Sequence, residues 1–450
     1  MITAQAFAGK HYAIYGLARS GLATAEALLA SGGRVTAWDA KEEAREHFRS
    51  SRAKSRGDGT TAEVRPSTSL GTNDVEIRNL DEIDLSQFDS LVVTPGLPLN
   101  RHPIAQRARD AGVEIIGDIE LFARARAELP PHKVVGITGT NGKSTTTALI
   151  HHILKTAGVP TTMGGNIGLP ILAQDPLPED GVYVLELSSY QIDLTQSLDC
   201  DVAVLLNITP DHLDRYESFE AYAEAKWRLF DMQSDQHVRL ADVGSFTPPR
   251  WRDTSSEAAE SAAGEASEMV FAQDDYPTLQ GPHNLQNLLM ASMVCDALGV
   301  DEVTIDKALR TYPGLPHRME RVREKDGVLF VNDSKATNPT ATAPALAAFE
   351  RIRWICGGQA KTDNLDECAP HFGHVRKAYT IGEAGELFAS LLSPHMDVAE
   401  CETLERAVGE AAAEAEAGDT VLLSPACASF DQFRDFEDRG DRFRALVGAL

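Results

Sequence analysis

The stretch Lys133–Ile150, KVVGITGTNGKSTTTALI, decides how the rest of the chain is read. Val134 to Ile137 is a short apolar, β-branched run and predicts a buried strand. Thr145 to Leu154 predicts a helix. Between them lie Gly136, Gly139 and Gly142, residues that can take φ > 0 and let an anion approach the main chain. The loop opens onto a helix N-terminus, where unsatisfied N–H groups and the helix dipole favour negative charge. Lys143 adds a mobile cation, and the Ser144 hydroxyl is placed to ligate a Mg²⁺ carried on phosphates. The spacing departs from the pattern G-x-x-x-x-G-K-[ST], because the position of its first glycine is Ile137. A glycine-rich strand–helix turn with a surface lysine is the plainer reading. A strand, three glycines, Lys-Ser and a threonine-rich helix start rarely coincide, however, so the stretch is read as a nucleotide-phosphate loop.

Composition bounds what such a loop can serve. The 450 residues allow roughly two to four domains. A net charge of −25 and a pI near 4.9 argue against nucleic acid or an anionic membrane as the main partner. Anionic substrates would then need local basic residues and metal ions to attract them. Cys200, Cys295, Cys356, Cys368, Cys401 and Cys427 are scattered without a C-x-x-C pair, which suits reduced thiols in the cytoplasm better than a disulfide framework or a zinc site. The opening MITAQAFAGKHYAIYGL has no signal-peptide apolar region, and no apolar run approaches the length of a membrane span.

The chain reads as three α/β blocks. The first opens with the strand YAIYGL and the turn Gly16-Leu17-Ala18-Arg19-Ser20-Gly21, followed by a helix from about Leu22 to Ala30 and a second strand, RVTAWD, ending at Asp39. This nearly matches the dinucleotide fingerprint G-x-G-x-x-G, but Ala18 replaces the glycine that lets backbone approach a pyrophosphate. A nicotinamide-dinucleotide site and a plain βαβ turn both remain open here. DSLVVTPGLPLN is another strand and turn. Ser50–Asn73 is rich in Ser, Thr, Arg and Gly and poor in large apolar residues, so it is expected to be a flexible surface insertion. Thr247–Glu268 is a second loose polar segment.

In the second block GGNIG (Gly164–Gly168) and two further strands, GVYVLELSSYQ and DVAVLLNITPDHLDRY, follow the loop. Glu186 sits at the C-terminal end of one strand and His212 beyond the end of the next, where open parallel sheets bind ligands. A carboxylate and an imidazole beside a triphosphate are plausible metal partners, although a lone loop histidine is more often a surface residue. Gly281–Val300 reads as a helix whose first turn presents His283, Asn284 and Asn287, either to a base or ribose or simply as a helix cap. In the third block the strands VLFVNDS, RIRWICGG, KAYTIG and DTVLLSPAC alternate with helices, again a Rossmann-like pattern, and the polar loops NDSKATN, GGQAKTDN and SPACASFDQFRDFEDRG each come just after a strand.

The set GITGTNGKST, GGNIG, LELSSYQ, NITPDHLDRY, AEAKWRLF, GPHNLQNLLMA, GLPHRME, NDSKATNP and LLSPACASFDQFRDFEDRGDRF closely resembles the Mur ligases, from the first strand to the C-terminus apart from the two loose segments. The unusual loop spacing is that family's own form of a phosphate loop. The resemblance implies an α/β fold of three domains: a Rossmann-like N-terminal domain for the UDP-substrate (1–121), a central P-loop-type ATPase domain with a mostly parallel sheet (122–314), and a Rossmann-like C-terminal domain for the amino acid (315–450). It implies an ATP-dependent ligase of peptidoglycan synthesis that phosphorylates the carboxylate of UDP-MurNAc-L-Ala and joins it to D-glutamate. A sister ligase for a different amino acid is the serious alternative. An acyl phosphate hydrolyses in water, so closure of the third domain is expected.

Carried over residue by residue, the resemblance places Gly139, Thr140, Asn141, Gly142, Lys143, Ser144 and Thr145 on the ATP phosphates. It puts one Mg²⁺ on Ser144 and Glu186, and a second on His212 and a Lys226 carbamylated by CO₂, with Lys143, Lys226, His212 and Glu186 as the catalytic set. Asn284 and Asn287 are expected at adenine, and Arg318 and Asp333 elsewhere on the nucleotide. Asn166 is expected at the muramoyl group, and Lys335, Thr337, Lys361, Ser429 and Phe436 around glutamate. Leu17, Ala18 and the Thr94-Pro95-Gly96 turn are expected to grip UDP. A monomer acting on small molecules, without nucleic acid or membrane insertion, is the implied state.

Overall fold

The computed structural model describes residues 1–54, 75–211, 214–241 and 275–450. Three sheets of mostly parallel strands appear among them. The first contains β1 (His11–Tyr15), β2 (Arg34–Trp38), β3 (Val75–Ile77), β4 (Ser90–Val93) and β5 (Glu114–Ile116) in the order β3-β2-β1-β4-β5. Its central strands β1 and β4 are buried on both faces, so they read as apolar runs instead of alternating. In β1, Tyr12 and Ile14 join one core cluster and Ala13 and Tyr15 another. Helix Arg19–Ala30 covers one side with Ala23, Ala25, Ala27, Leu28 and Leu29 buried. It begins three residues earlier than its apolar pattern suggests, because Ala18 is extended and the helix starts directly from the turn. Helix Glu42–Lys54 takes in Ser50–Lys54, so the start of the polar segment expected to be loose is helical. The remainder of that segment, and Thr247–Glu268, lie outside the described residues.

The second sheet contains β6 (His132–Thr138), β7 (Thr161–Gly165), β8 (Gly181–Glu186), β9 (Val202–Leu205) and β10 (Val238–Ala241) in the order β10-β9-β6-β8-β7. Strand β6 therefore lies between β8 and β9, all parallel. From β6 the chain crosses to β7 on one side, and from β8 it crosses back over β6 to β9 on the other, which opens a crevice at the C-terminal ends of these strands. The segment LSSYQ continues beyond β8 as a short helix, Ser189–Asp193. Ser188 and Gln191 close its N-terminus as a capping box, a signal present in the sequence as S-x-x-Q. The first and second sheets share one core, in which Leu17, Leu28 and Leu29 cluster with Ile171, Leu185 and Leu187.

The third sheet contains β11 (Glu320–Lys325), β12 (Val328–Asn332), β13 (Ile352–Gly357), β14 (Val375–Ile381), β15 (Asp397–Glu402) and β16 (Thr420–Leu423) in the order β11-β12-β16-β13-β14-β15. Only β11 runs antiparallel, as a hairpin with β12. Trp354 and Cys356 of β13 face one cluster, and Ile355 faces the other with Val421 and Leu423. The chain divides into two compact bodies, one of Met1–Met269 with Met290–Ile305, the other of Val270–Leu289 with Asp306–Leu450. All six cysteines are free, buried thiols. No helix among the described residues is long and apolar enough to cross a membrane.

Candidate functional site

The phosphate loop leaves β6 at Thr138 and enters the helix Lys143–Thr156 through Gly142, whose φ of 83° only glycine adopts at low cost. Gly139 passes so near β9 that a Cβ there would lie 3.0 Å from Leu206 Cβ and 3.3 Å from the Asn207 backbone. Lys143 curls back, its Nζ donating to Gly139 O and Thr140 O at 2.9 Å each. Ser144 is buried at the helix start.

Beside the loop, the register pairs Glu186 with Ile137. Glu186 is 2% exposed. Its Oε1 accepts a bond of 3.0 Å from Asn166 Nδ2, while its Oε2 is buried without a protein donor. A buried carboxylate oxygen left unmatched costs free energy unless something else binds it. Such an oxygen suits a hard cation or a hydrogen-bond donor brought by a ligand. Among the described residues no cluster of three His, Cys, Asp or Glu side chains forms a self-sufficient metal cage. Gly165, at φ 86°, lets Asn166 double back here, since a Cβ at Gly165 would strike the Glu186 carbonyl. His212 lies outside the described residues.

Lys226, on helix Phe219–Asp231, is 2% exposed. Its Nζ donates to Gly139 O at 2.8 Å and lies 4.6 Å from the Tyr222 ring centroid. Burial, then the charge of Lys143, pushes its pKa well below the ordinary lysine value, with Asp211 and Asp193 opposing. Two lysines thus share one carbonyl acceptor at the base of the loop.

At the glycine turn of the first sheet, Leu17 N donates to Asp39 Oδ2 at 2.7 Å. The acid at the end of β2 therefore holds the turn itself. Gly16, at φ 105°, leaves no room for a Cβ beside the Thr94 side chain, so Leu17, Ala18 and Thr94 are brought together. Arg19 Nη2 donates to Gly168 O at 3.1 Å, tying this turn to the GGNIG loop. Arg215 Nη2 donates to Gly96 O at 3.0 Å.

The second body gathers the remaining polar loops at the ends of β12, β13 and β16. Lys335 Nζ sits 3.8 Å from the Phe436 ring centroid, and Lys361 Nζ donates to Thr337 Oγ1 at 3.2 Å. Ser429 is buried next to Ala428, which exchanges backbone bonds of 2.9 Å with Gln359. Asp333 accepts from Ser424 Oγ at 2.7 Å and Met319 N at 3.1 Å. Burial nevertheless raises its pKa to about 7, against those bonds and the charge of Arg318. Arg318 is half-buried, preceded by His317 in the left-handed region at φ 61°. Asn287 Nδ2 donates to Asn284 Oδ1 at 3.1 Å, and Asn284 Nδ2 to Gln280 O at 3.0 Å, so the two asparagines form one pair in the opening turns of helix Pro282–Ala297.

Sequence reasoning missed several supporting residues. Asn207 and Tyr222 brace the loop: Thr140 Oγ1 meets Tyr222 OH at 3.1 Å, and Asn207 bonds to Asn141. Arg439 is fully buried and donates to Ser334 O, Cys427 O and Ala428 O. It thereby joins the neighbours of Lys335 and Ser429. The asparagine directly after the apolar run VAVLL is the one such signal that was visible in the sequence.

A phosphate loop on a parallel sheet, with a buried carboxylate and lysine at its base and a separate α/β body rich in polar strand-end loops, defines an ATP-dependent ligase of modular build. Residues 137–258 match the Mur ligase middle domain and residues 317–427 the Mur ligase glutamate ligase domain. The chain belongs to the Mur ligase family. It is 57% identical to the UDP-N-acetylmuramoylalanine–D-glutamate ligase of Novosphingobium aromaticivorans, across 100% of this chain and 97% of that one. It is 54% identical to the enzyme of the same name from Sphingopyxis alaskensis, across 100% of both. Among solved structures, its fold is similar to UDP-N-acetylmuramate–alanine ligase of Thermotoga maritima (TM-score 0.55, 16% identity, 98% of this chain and 99% of that one). It is also similar in fold to MurF ligase of Thermotoga maritima in complex with ADP (TM-score 0.53, 17% identity, 83% and 97%).

Proposed function

We propose that this chain forms the amide bond between UDP-N-acetylmuramoyl-L-alanine and D-glutamate at the expense of ATP, a step of peptidoglycan precursor synthesis. Full-length similarity to relatives of that name supports the reading, and the loop at Gly139–Thr145 accounts for its ATP half. A carboxylate is a poor electrophile at neutral pH. Transfer of the terminal phosphoryl group gives its carbon a leaving group. The glutamate nitrogen then attacks that carbon, the C–N bond forms, the C–O bond to phosphate breaks, and the amine gives up a proton. The donor and acceptor in the first step are both anionic, so positioning and charge supply most of the catalysis.

In this reading Lys143 turns from the loop carbonyls to the phosphates, and Asn166 meets the muramoyl group. Mg²⁺, when bound, neutralises phosphate charge. Ser144 and the unmatched oxygen of Glu186 would hold one ion, and His212 with Lys226 a second. An ammonium at Lys226 would repel that second ion. The buried neutral amine can instead attack CO₂, forming an N–C bond and losing a proton, so that a cation becomes a carbamate with two metal-binding oxygens. The carbamate nitrogen keeps one N–H, enough to retain the bond to Gly139 O. Leu17, Ala18 and Thr94 take the UDP end. Asn284, Asn287, Arg318 and Asp333 take the nucleoside side of ATP, and Lys335, Thr337, Lys361, Ser429 and Phe436 take glutamate. The domains are assigned to 1–121, 122–314 and 315–450, and the enzyme to the cytoplasm as a monomer.

The deciding experiment is phosphate release from ATP with UDP-N-acetylmuramoyl-L-alanine and a panel of amino acids. D-glutamate should support release far above the others. Equal or better release with another amino acid would make the chain a sister ligase, and no release with any would overturn the reading.

A further inference from the structure

Asn207 lies just beyond the end of β9, after Leu206, and this single residue holds two consecutive residues of the phosphate loop. Its side-chain Oδ1 accepts from Asn141 N at 2.8 Å, and its Nδ2 donates to Asn141 O at 3.1 Å. Its backbone carbonyl accepts from Thr140 N at 2.8 Å. The amide thus meets both main-chain polar groups of one residue, Asn141, as a neighbouring strand would, and a flipped amide would set like against like at both contacts. Thr209 adds to the hold, its carbonyl accepting from Thr140 Oγ1 at 3.2 Å and its N–H donating to the same hydroxyl at 3.0 Å.

We propose that Asn207 is a positioning residue for phosphoryl transfer: it locks Thr140 and Asn141 in place so that the loop presents the helix start at Lys143 to the nucleotide. The inference rests on the reading of Gly139–Thr145 as the ATP phosphate loop. With the N–H groups of Thr140 and Asn141 committed to Asn207, the phosphates are received by the N–H groups that follow, where Gly142 turns the chain into the helix. Release of Asn141 would let the peptides before Gly142 rotate and would misdirect Lys143, whose Nζ bonds to the carbonyls of Gly139 and Thr140. An aspartate of the same shape keeps the acceptor for Asn141 N but sets a carboxylate oxygen against Asn141 O.

Asn207→Asp and Asn207→Ala test this through three readouts: ATP dissociation constant by calorimetry without the other substrates, KM for each substrate, and thermal melting. Both variants should bind ATP about tenfold or more weakly, since misalignment of one charge-assisted hydrogen bond to phosphate is enough for such a loss. The aspartate should be the worse, because it adds a negative charge against the loop that receives the triphosphate. KM for glutamate should stay within about twofold and melting within a few degrees of the unaltered chain. Unchanged ATP affinity in the isosteric aspartate variant would overturn the proposal. So would proportional loss for all three substrates with a lowered melting temperature, the pattern of a merely structural residue. If the alanine variant does not fold, the aspartate variant carries the test. Failure of the unaltered chain to bind ATP would remove the loop reading and the inference with it.

Discussion

At the scale of single residues, burial changes what a side chain can do. Lys226 looks in sequence like any lysine on an amphipathic helix; within the fold it is 2% exposed beside a second lysine. Both effects favour the neutral amine, the form that takes up CO₂. Lys226→Ala should be folded and nearly inactive, and short-chain carboxylates should restore part of the rate by occupying the vacated oxygen positions. A fully active alanine variant would refute the carbamate, which steady-state phosphate release checks directly. Lys361 is the opposite case, an exposed lysine that bonds to Thr337 and pairs with no carboxylate among the described residues. If it receives the side-chain carboxylate of glutamate, Lys361→Ala should raise KM for glutamate about tenfold or more, because a charged hydrogen bond contributes roughly 1.5–3 kcal/mol. KM for ATP should move little. Equal changes in both would place the residue elsewhere.

At the scale of elements, strand order decides which loop ends meet. Strand β16 is inserted between β12 and β13. Asp333 after β12 therefore reaches Ser424 after β16, a contact that spans 91 residues of sequence. Burial raises the Asp333 pKa from 3.8 to about 7. A raised carboxylate pKa means that the folded state holds its proton more tightly than the unfolded one. The associated stability is complete below about pH 4 and is lost as the pH rises through about 7. Asp333→Asn removes this dependence. Relative to the variant, the unaltered chain should lose about 2–3 kcal/mol between pH 5 and pH 8, at 1.36 kcal/mol per unit. Urea melts at the two pH values measure it, and an unchanged difference between the two proteins would show that Asp333 does not titrate there. The same logic of order applies to β6. Its position between β8 and β9 puts Glu186 on one side of the loop and Asn207 on the other.

At the scale of the whole molecule, the first and second sheets share a core, while the third sheet forms the centre of a separate body. Helix Glu42–Lys54 and strand β3 (Val75–Ile77) are the described elements on either side of the polar segment 55–74. Its composition offers little apolar surface to bury, and the entropy of closing a connection changes only slowly with its length. Replacing residues 55–73 with a short Gly-Ser turn should leave phosphate release and cooperative melting nearly unchanged. A large loss of either would give that segment a role in the fold or the site. The cut begins at 55 and not at 50 because Ser50–Lys54 is helical.

The sequence by itself determined the glycine-rich strand–turn–helix of Lys133–Ile150, the three α/β blocks and the family, because these rest on local pattern. Apolar runs, glycine spacing and the Lys-Ser pair act within a few residues of one another. The same local rules ran the strand GVYVLE on through LSSYQ, where the structure starts a capped helix, and left the edge strands β11 and β15 unread, since their half-exposed, charged residues lack an apolar run. Only the tertiary structure decided that Lys226 is buried against Gly139, that Glu186 has an unmatched oxygen, that Asn207 clamps Asn141, and that Arg439 ties Ser334 to Ala428. Each of these depends on which strands are neighbours in a sheet. Neighbour order is set by the sum of packing over all the crossovers, and no single stretch of the chain contains that sum.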